Sequence, residues 1–173
     1  MRRRPILIML AVLITLGGYV YFSNRPEPAL PDAPRPLIWS IEAENLERLS
    51  IRLASAGHQK SLAWVRREGR NWYFDTPDGP QVDMKRWGGG IPLLLSAPGA
   101  ERRVADHATD EQLAAYGLNA PSMSIGLTLK QGRTVHIEVG DRTPDGLAYY
   151  IRLADAREIY TVHDAWYHVL ASI

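Results

Sequence analysis

The chain contains no cysteine. That excludes a disulfide framework, a thiolate nucleophile and any thiolate metal site. It also excludes a lipid-modified cysteine behind an apolar leader. Phenylalanine is nearly absent, with two residues against five tryptophans and eight tyrosines. Serine nucleophile elbows, Walker loops and dinucleotide glycine fingerprints are missing. Gly88-Gly89-Gly90 has neither the Lys-Ser/Thr nor the strand-to-helix context of a phosphate loop and reads as a hinge or close backbone approach. The five histidines (58, 107, 136, 163, 168) are scattered. His163 and His168 lie five apart, not on one helical face, so no metal site is expected. Asp141 and Asp145 flank Arg142, but beside Thr143-Pro144 they read as turn formers rather than an acid–base pair. No catalytic residue, cofactor or metal is assigned, and the chain is not expected to be an enzyme.

Charge of one sign is also lacking. Lysine and arginine total 20 against 19 aspartate and glutamate. Three of the basic residues, Arg2, Arg3 and Arg4, precede an unbroken apolar run from Ile6 to Phe22. At 1.5 Å per residue that run would reach roughly 25 Å as a helix, near the lower end of a bilayer span. It is longer than a signal-peptide core and closes on Tyr19, Val20, Tyr21 and Phe22, a poor cleavage site. An uncleaved signal anchor over residues 1–24 is the expectation. The arginines place the N-terminus in the cytoplasm and the rest across a bacterial inner membrane, with Tyr19, Tyr21 and Phe22 at the outer interface. Beyond Phe22 the net charge is −2, from 17 basic and 19 acidic residues, which argues against nucleic acid as a partner.

Residues 25–36 hold five prolines and read as an extended, semi-rigid stalk. Residues 37–173 then read as one exported α+β domain, mainly antiparallel sheet with short helices. Leu49, Ile51 and Leu53 alternate with polar residues as a strand with one buried face. Leu62–Arg66 and Asn71–Phe74 form a hairpin across Glu68-Gly69-Arg70. Ile125–Leu129 and Val135–Val139 pair across Gln131-Gly132, followed by strands at Leu147–Leu153 and Ile159–Val162. Thr109 with Gln112 is a capping box for a helix ending at Gly117. Asp83 begins a helix through Trp87 that Gly88–Gly90 and Pro92 weaken or break. Asp164 caps a terminal helix with Trp166, Val169, Leu170 and Ile173 on one face. The halves 37–98 and 99–173 are similar in order and spacing, which points to a duplicated βββα unit.

Tyr116-Gly117-Leu118-Asn119-Ala120-Pro121, the apolar strand after it, Gly140-Asp141, Thr143-Pro144-Asp145-Gly146 and Tyr149-Tyr150-Ile151-Arg152 together resemble the DUF4340 family. With Trp72-Tyr73 included, the resemblance runs from Leu46 to Val169. It departs from the family at Gly88–Pro92, where a regular helix is usual. The resemblance implies an α+β fold and membrane-anchored, exported placement; some members are encoded as auxiliary components of ABC-type systems linked to gliding motility. It supplies no catalytic residue.

Indole and phenol side chains suit interfaces, and Trp39, Trp87, Tyr149, Tyr150 and Trp166 are the candidate partner contacts. The expectation is a non-catalytic accessory subunit docking on a larger integral membrane complex, a transporter or a bioenergetic or photosynthetic assembly. The alternative is an exported binding module for a small ligand or cell-wall glycan. N-terminal sequencing of the membrane-extracted protein should recover the segment containing Arg2–Arg4. A mature terminus near Gly18 or Ser23 would overturn the anchor.

Overall fold

The computed structural model describes residues 36–55, 58–67, 69, 71–83, 87 and 90–173. The expected membrane anchor and nearly all of the proline stalk lie outside them. Among the described residues no helix is long and apolar enough to cross a membrane.

Eight strands form one sheet: β1 Leu46–Ser55, β2 His58–Arg67, β3 Asn71–Phe74, β4 Arg102–Ala105, β5 Met123–Leu129, β6 Thr134–Arg142, β7 Ala148–Leu153 and β8 Ile159–His163. Their order is β3-β2-β1-β5-β6-β7-β8-β4, and every neighbouring pair is antiparallel. β1 pairs with β5, so the sheet is continuous from one half of the sequence to the other. Among the described residues three short helices can be bounded: α1 Gly90–Ser96, α2 Asp110–Ala115 and α3 Asp164–Ala171.

The period-2 pattern fixes which face each side chain takes. In β5, Met123, Ile125, Leu127 and Leu129 are all buried, and the residues between them are half-buried. In register, Leu62, Ile51, Ile125, Ile137 and Leu153 form a row across five strands on that face. Ile91 and Leu95 of α1 and Trp166 and Leu170 of α3 join the same core. Among the described residues, the opposite face is covered only at its β7–β8 end. There α2 and the turn after it set Leu113 and Leu118 against Tyr150 and Ile159. Elsewhere that face carries Ser50, Arg52, Ser61, Ser124, His136 and Glu138, a solvated face common in antiparallel sheets.

Three local expectations need correction. Gly90 and Pro92 are helical, both within α1. Pro92 falls in its first turn, where a missing N–H costs no intrahelical bond. The N-cap of α3 is His163, whose Nδ1 accepts from the Ala165 N–H at 3.2 Å, rather than Asp164. Val169 does not share the buried face of Trp166 and Leu170; it is 46% exposed. The edge strand β4 (Arg102-Arg103-Val104-Ala105) has no apolar alternation and escapes sequence reading. The Thr109–Gln112 capping box is present in both directions, with Gln112 N–H to Thr109 at 3.3 Å and Thr109 N–H to Gln112 at 3.0 Å.

Residues distant in sequence satisfy the last turn of α1. A helix leaves its last four carbonyls without intrahelical partners. Here Leu93 O accepts from Ser96 Oγ at 2.8 Å, Leu94 O from Trp166 Nε1 at 3.3 Å, Leu95 O from Trp39 Nε1 at 2.8 Å and Ser96 O from Ile41 N at 2.7 Å. The segment before β1 and the C-terminal helix thus meet at one short helix. Trp39→Phe keeps the ring but orphans the buried Leu95 carbonyl, at a cost of about 1–3 kcal/mol. Chemical denaturation of Trp39→Phe and Trp166→Phe should show both losses, the former the larger because its bond is shorter and more buried.

Candidate functional site

A concave apolar surface lies between the β2–β3 end of the sheet and the helices. Trp64, Phe74, Val82, Trp87, Ile91, Val169 and Ile173 line a cleft of about 690 Å³, with Gln81, Asp83 and Ser172 as its polar members. That volume is within the usual range for ligand or side-chain pockets. Register builds the wall: Trp64 lies opposite Phe74 and Arg66 opposite Trp72. The 81–82 segment closes the β3 edge through the Tyr73–Gln81 bridge and the Val82 N–H to Trp72 O bond. Trp87 fills the corner, its ring centroid 5.4 Å from Trp64 and 5.5 Å from Trp72. The Arg66 guanidinium lies over Trp72 and donates to Glu44 O at 2.8 Å and Ala43 O at 2.6 Å, tying in the 3-10 turn Ala43–Asn45.

Three donors in this cluster are unusual. Among the described residues, the indole nitrogens of Trp64 and Trp87 and Arg66 Nε are buried without an acceptor. Buried N–H groups are nearly always paired. Sequence reading placed Trp64 in a strand and had no signal that β2, Trp87 and the end of α3 would enclose a common space.

The five candidate contact residues are not gathered into one patch. Trp39, Trp87, Tyr150 and Trp166 are buried, each 7–8% exposed. Trp39 and Trp166 cap α1. Tyr150 stacks on Tyr116 at 4.3 Å, on the face covered by α2. Tyr149 points to the other face and stacks on Tyr167 at 3.9 Å, with His168 edge-on. Burial pushes its phenol pKa up, helped by Tyr167 and opposed by Arg142. The paired tyrosines therefore form no single platform.

Among the described residues no group of three or more histidine or acidic side chains could hold a metal ion. Asp145 is a turn former. It accepts from Thr143 Oγ1 at 2.6 Å and from the Leu147 N–H at 3.0 Å, and these bonds hold its pKa below the ordinary carboxylate value.

The motif residues behind the family resemblance converge on one joint. Between Val139 and Arg142, β6 has one more residue than β7, a bulge at Gly140-Asp141. Ser122 Oγ reaches the bulge carbonyls, 2.8 Å from Gly140 O and 3.2 Å from Val139 O. The Asp141 N–H donates to Tyr116 O at 2.9 Å. A Cβ on Gly140 would lie 2.1 Å from Tyr116 O, and one on Gly117, at φ +70°, would lie 2.5 Å from the Asp141 carboxyl carbon. Tyr-Gly and Gly-Asp are therefore two sides of one backbone contact that holds α2 to the sheet. Gly140→Ala should cost on the order of 3 kcal/mol, because a backbone oxygen cannot move aside cheaply. Thermal unfolding of the variant checks this; an unchanged midpoint would refute the contact.

No curated protein and no solved structure matches the chain. A family model does match, over residues 92–170, which begin within α1 and end within α3. The strands β1–β3 and the Trp72-Tyr73 pair, included in the resemblance above, lie outside that match. Residues 92–170 of this chain, which contain the Tyr-Gly/Gly-Asp joint, are thus similar to DUF4340, a domain of unknown function.

Proposed function

We propose that this chain is a non-catalytic accessory subunit that docks on a larger integral membrane protein complex. Residues 6–22 anchor it in a bacterial inner membrane with the N-terminus cytoplasmic. The proline stalk presents the α+β domain on the far side. The two-half organisation is part of this reading: a three-strand meander followed by α1 and a four-strand meander followed by α3 derive from a duplicated βββα unit.

The observation that carries the proposal is the aromatic cleft. It is apolar and concave, and Val169, 46% exposed, stands in its wall. Leu93 of α1 is 68% exposed on a helix of the same layer. Exposed apolar groups beside a concave aromatic wall suit an inserted apolar side chain of a partner better than turnover of a polar substrate. The two unpartnered indole N–H groups favour the second reading, a module for a small ligand or glycan whose oxygens would accept from them.

Mild-detergent extraction of the full-length protein from native membranes, followed by native mass spectrometry, distinguishes the two. The docking reading expects a stoichiometric multi-subunit assembly that is lost in Val169→Glu and Leu93→Glu. As surface changes, both should alter stability by no more than about 0.5 kcal/mol. A monomer carrying a small bound mass would support the second reading instead.

A further inference from the structure

The open face of the sheet carries a second site, remote in chemistry from the aromatic cleft. Register brings Ser61, Arg52, Ser124, Glu138 and Arg152 into one row across five adjacent strands, β2-β1-β5-β6-β7. The neighbouring row runs Ala63, Ser50, Gly126 and His136. Together these rows line a shallow depression of about 360 Å³.

Three features distinguish the depression from an ordinary solvated face. Gly126 forms its floor. A Cβ there would sit 2.6 Å from Ser50 Oγ and 3.9 Å from His136 Nδ1, so the missing side chain leaves a cradle between a hydroxyl and an imidazole. The charges in the row are unequally engaged. Glu138 Oε2 takes both Arg152 Nε at 2.7 Å and Nη2 at 2.6 Å, and this part-buried pair neutralises itself. Arg52 is exposed, and the one carboxylate of its row is taken by Arg152, which leaves the Arg52 guanidinium uncompensated within the row. Ser61 and Ser124 flank Arg52 on its two neighbouring strands and present hydroxyls beside it.

We infer that this cradle binds the oxyanion of a small solute, a phosphate or carboxylate group. Arg52 supplies the charge and a planar fork of donors, which match two oxygens of such a group. Ser61 and Ser124 donate hydroxyl hydrogen bonds, Ser50 keeps its own on the Gly126 carbonyl at 3.4 Å, and His136 closes the side toward β6. The Arg152–Glu138 pair positions the row: with Glu138 held by Arg152, its carboxylate does not turn to Arg52 and fill the site from within. No bond to the solute is made or broken; the site recognises.

The test uses full-length protein in maltoside micelles and follows the Arg52 Nε–Hε and His136 ring resonances. Inorganic phosphate is titrated in one arm and glucuronate in the other. Saturable shifts with either probe are expected, and the tighter of the two identifies the group as phosphate or carboxylate. Arg52→Gln should weaken binding at least about tenfold. Arg133→Gln, at an equally exposed arginine of the β5–β6 turn, should leave it unchanged. Gly126→Ala should abolish binding with no loss of thermal stability, because the new methyl displaces only the rotatable Ser50 hydroxyl and alanine is the better strand residue. Shifts that fail to saturate with both probes, or equal affinities in wild type and Arg52→Gln, would overturn the site.

Discussion

The last turn of α1 is the constraint on which the helical layer depends. The helix is seven residues long, too short to be stable by itself, and its final four carbonyls face the core rather than water. Buried carbonyls must be paired. Two of the four partners are indole N–H groups, from Trp39 before the sheet begins and from Trp166 after it ends. Tryptophan can do this where phenylalanine cannot, because it fills core volume and carries a donor at its edge. The chain's preference for Trp over Phe thus has a structural reason at two of its five tryptophans.

The sheet imposes a second constraint, at the other end of the molecule. An eight-stranded antiparallel sheet must twist, and a bulge strengthens the local twist while freeing backbone groups for other partners. At Gly140-Asp141 those partners come from Ser122 and from the Tyr116 carbonyl. Only glycine at positions 117 and 140 lets the two backbones approach this closely. The motif residues that look like a dispersed turn signature are one packed joint.

Much of the β architecture was legible. The alternations at Leu49–Leu53, Ile125–Leu129 and Val135–Val139 report their own buried face, since a strand with one wet side must alternate. The capping box at Thr109 reports a helix start through local hydrogen bonding alone. Other features were not legible, for equally physical reasons. β4 is an edge strand with two arginines and little buried surface, so it carries no periodic signal. α1 opens on a glycine and carries a proline in its first turn, residues that read as a break in the sequence, and its end is satisfied by distant groups. Val169 shares helical spacing with buried neighbours yet faces out, because α3 rests on the sheet through only a narrow stripe.

The aromatic residues mark the boundary between the two kinds of information. Composition identified tryptophan and tyrosine as side chains with one apolar and one polar end, and that description holds at Trp39 and Trp166. It could not say whether the polar end would meet a partner protein or the chain's own backbone, because that depends on where α1 ends in space. Nor could it say that Trp64 and Trp87 would share a cleft wall with two unanswered donors. Sequence by itself determined the local matters: strand faces, the helix cap, the turns and the absence of thiol chemistry. Each depends on neighbours a few residues away. Tertiary structure alone decided which aromatics are pins, which line a cleft, and that Gly126 lies between Ser50 and His136, because strand register brings together residues far apart in the chain.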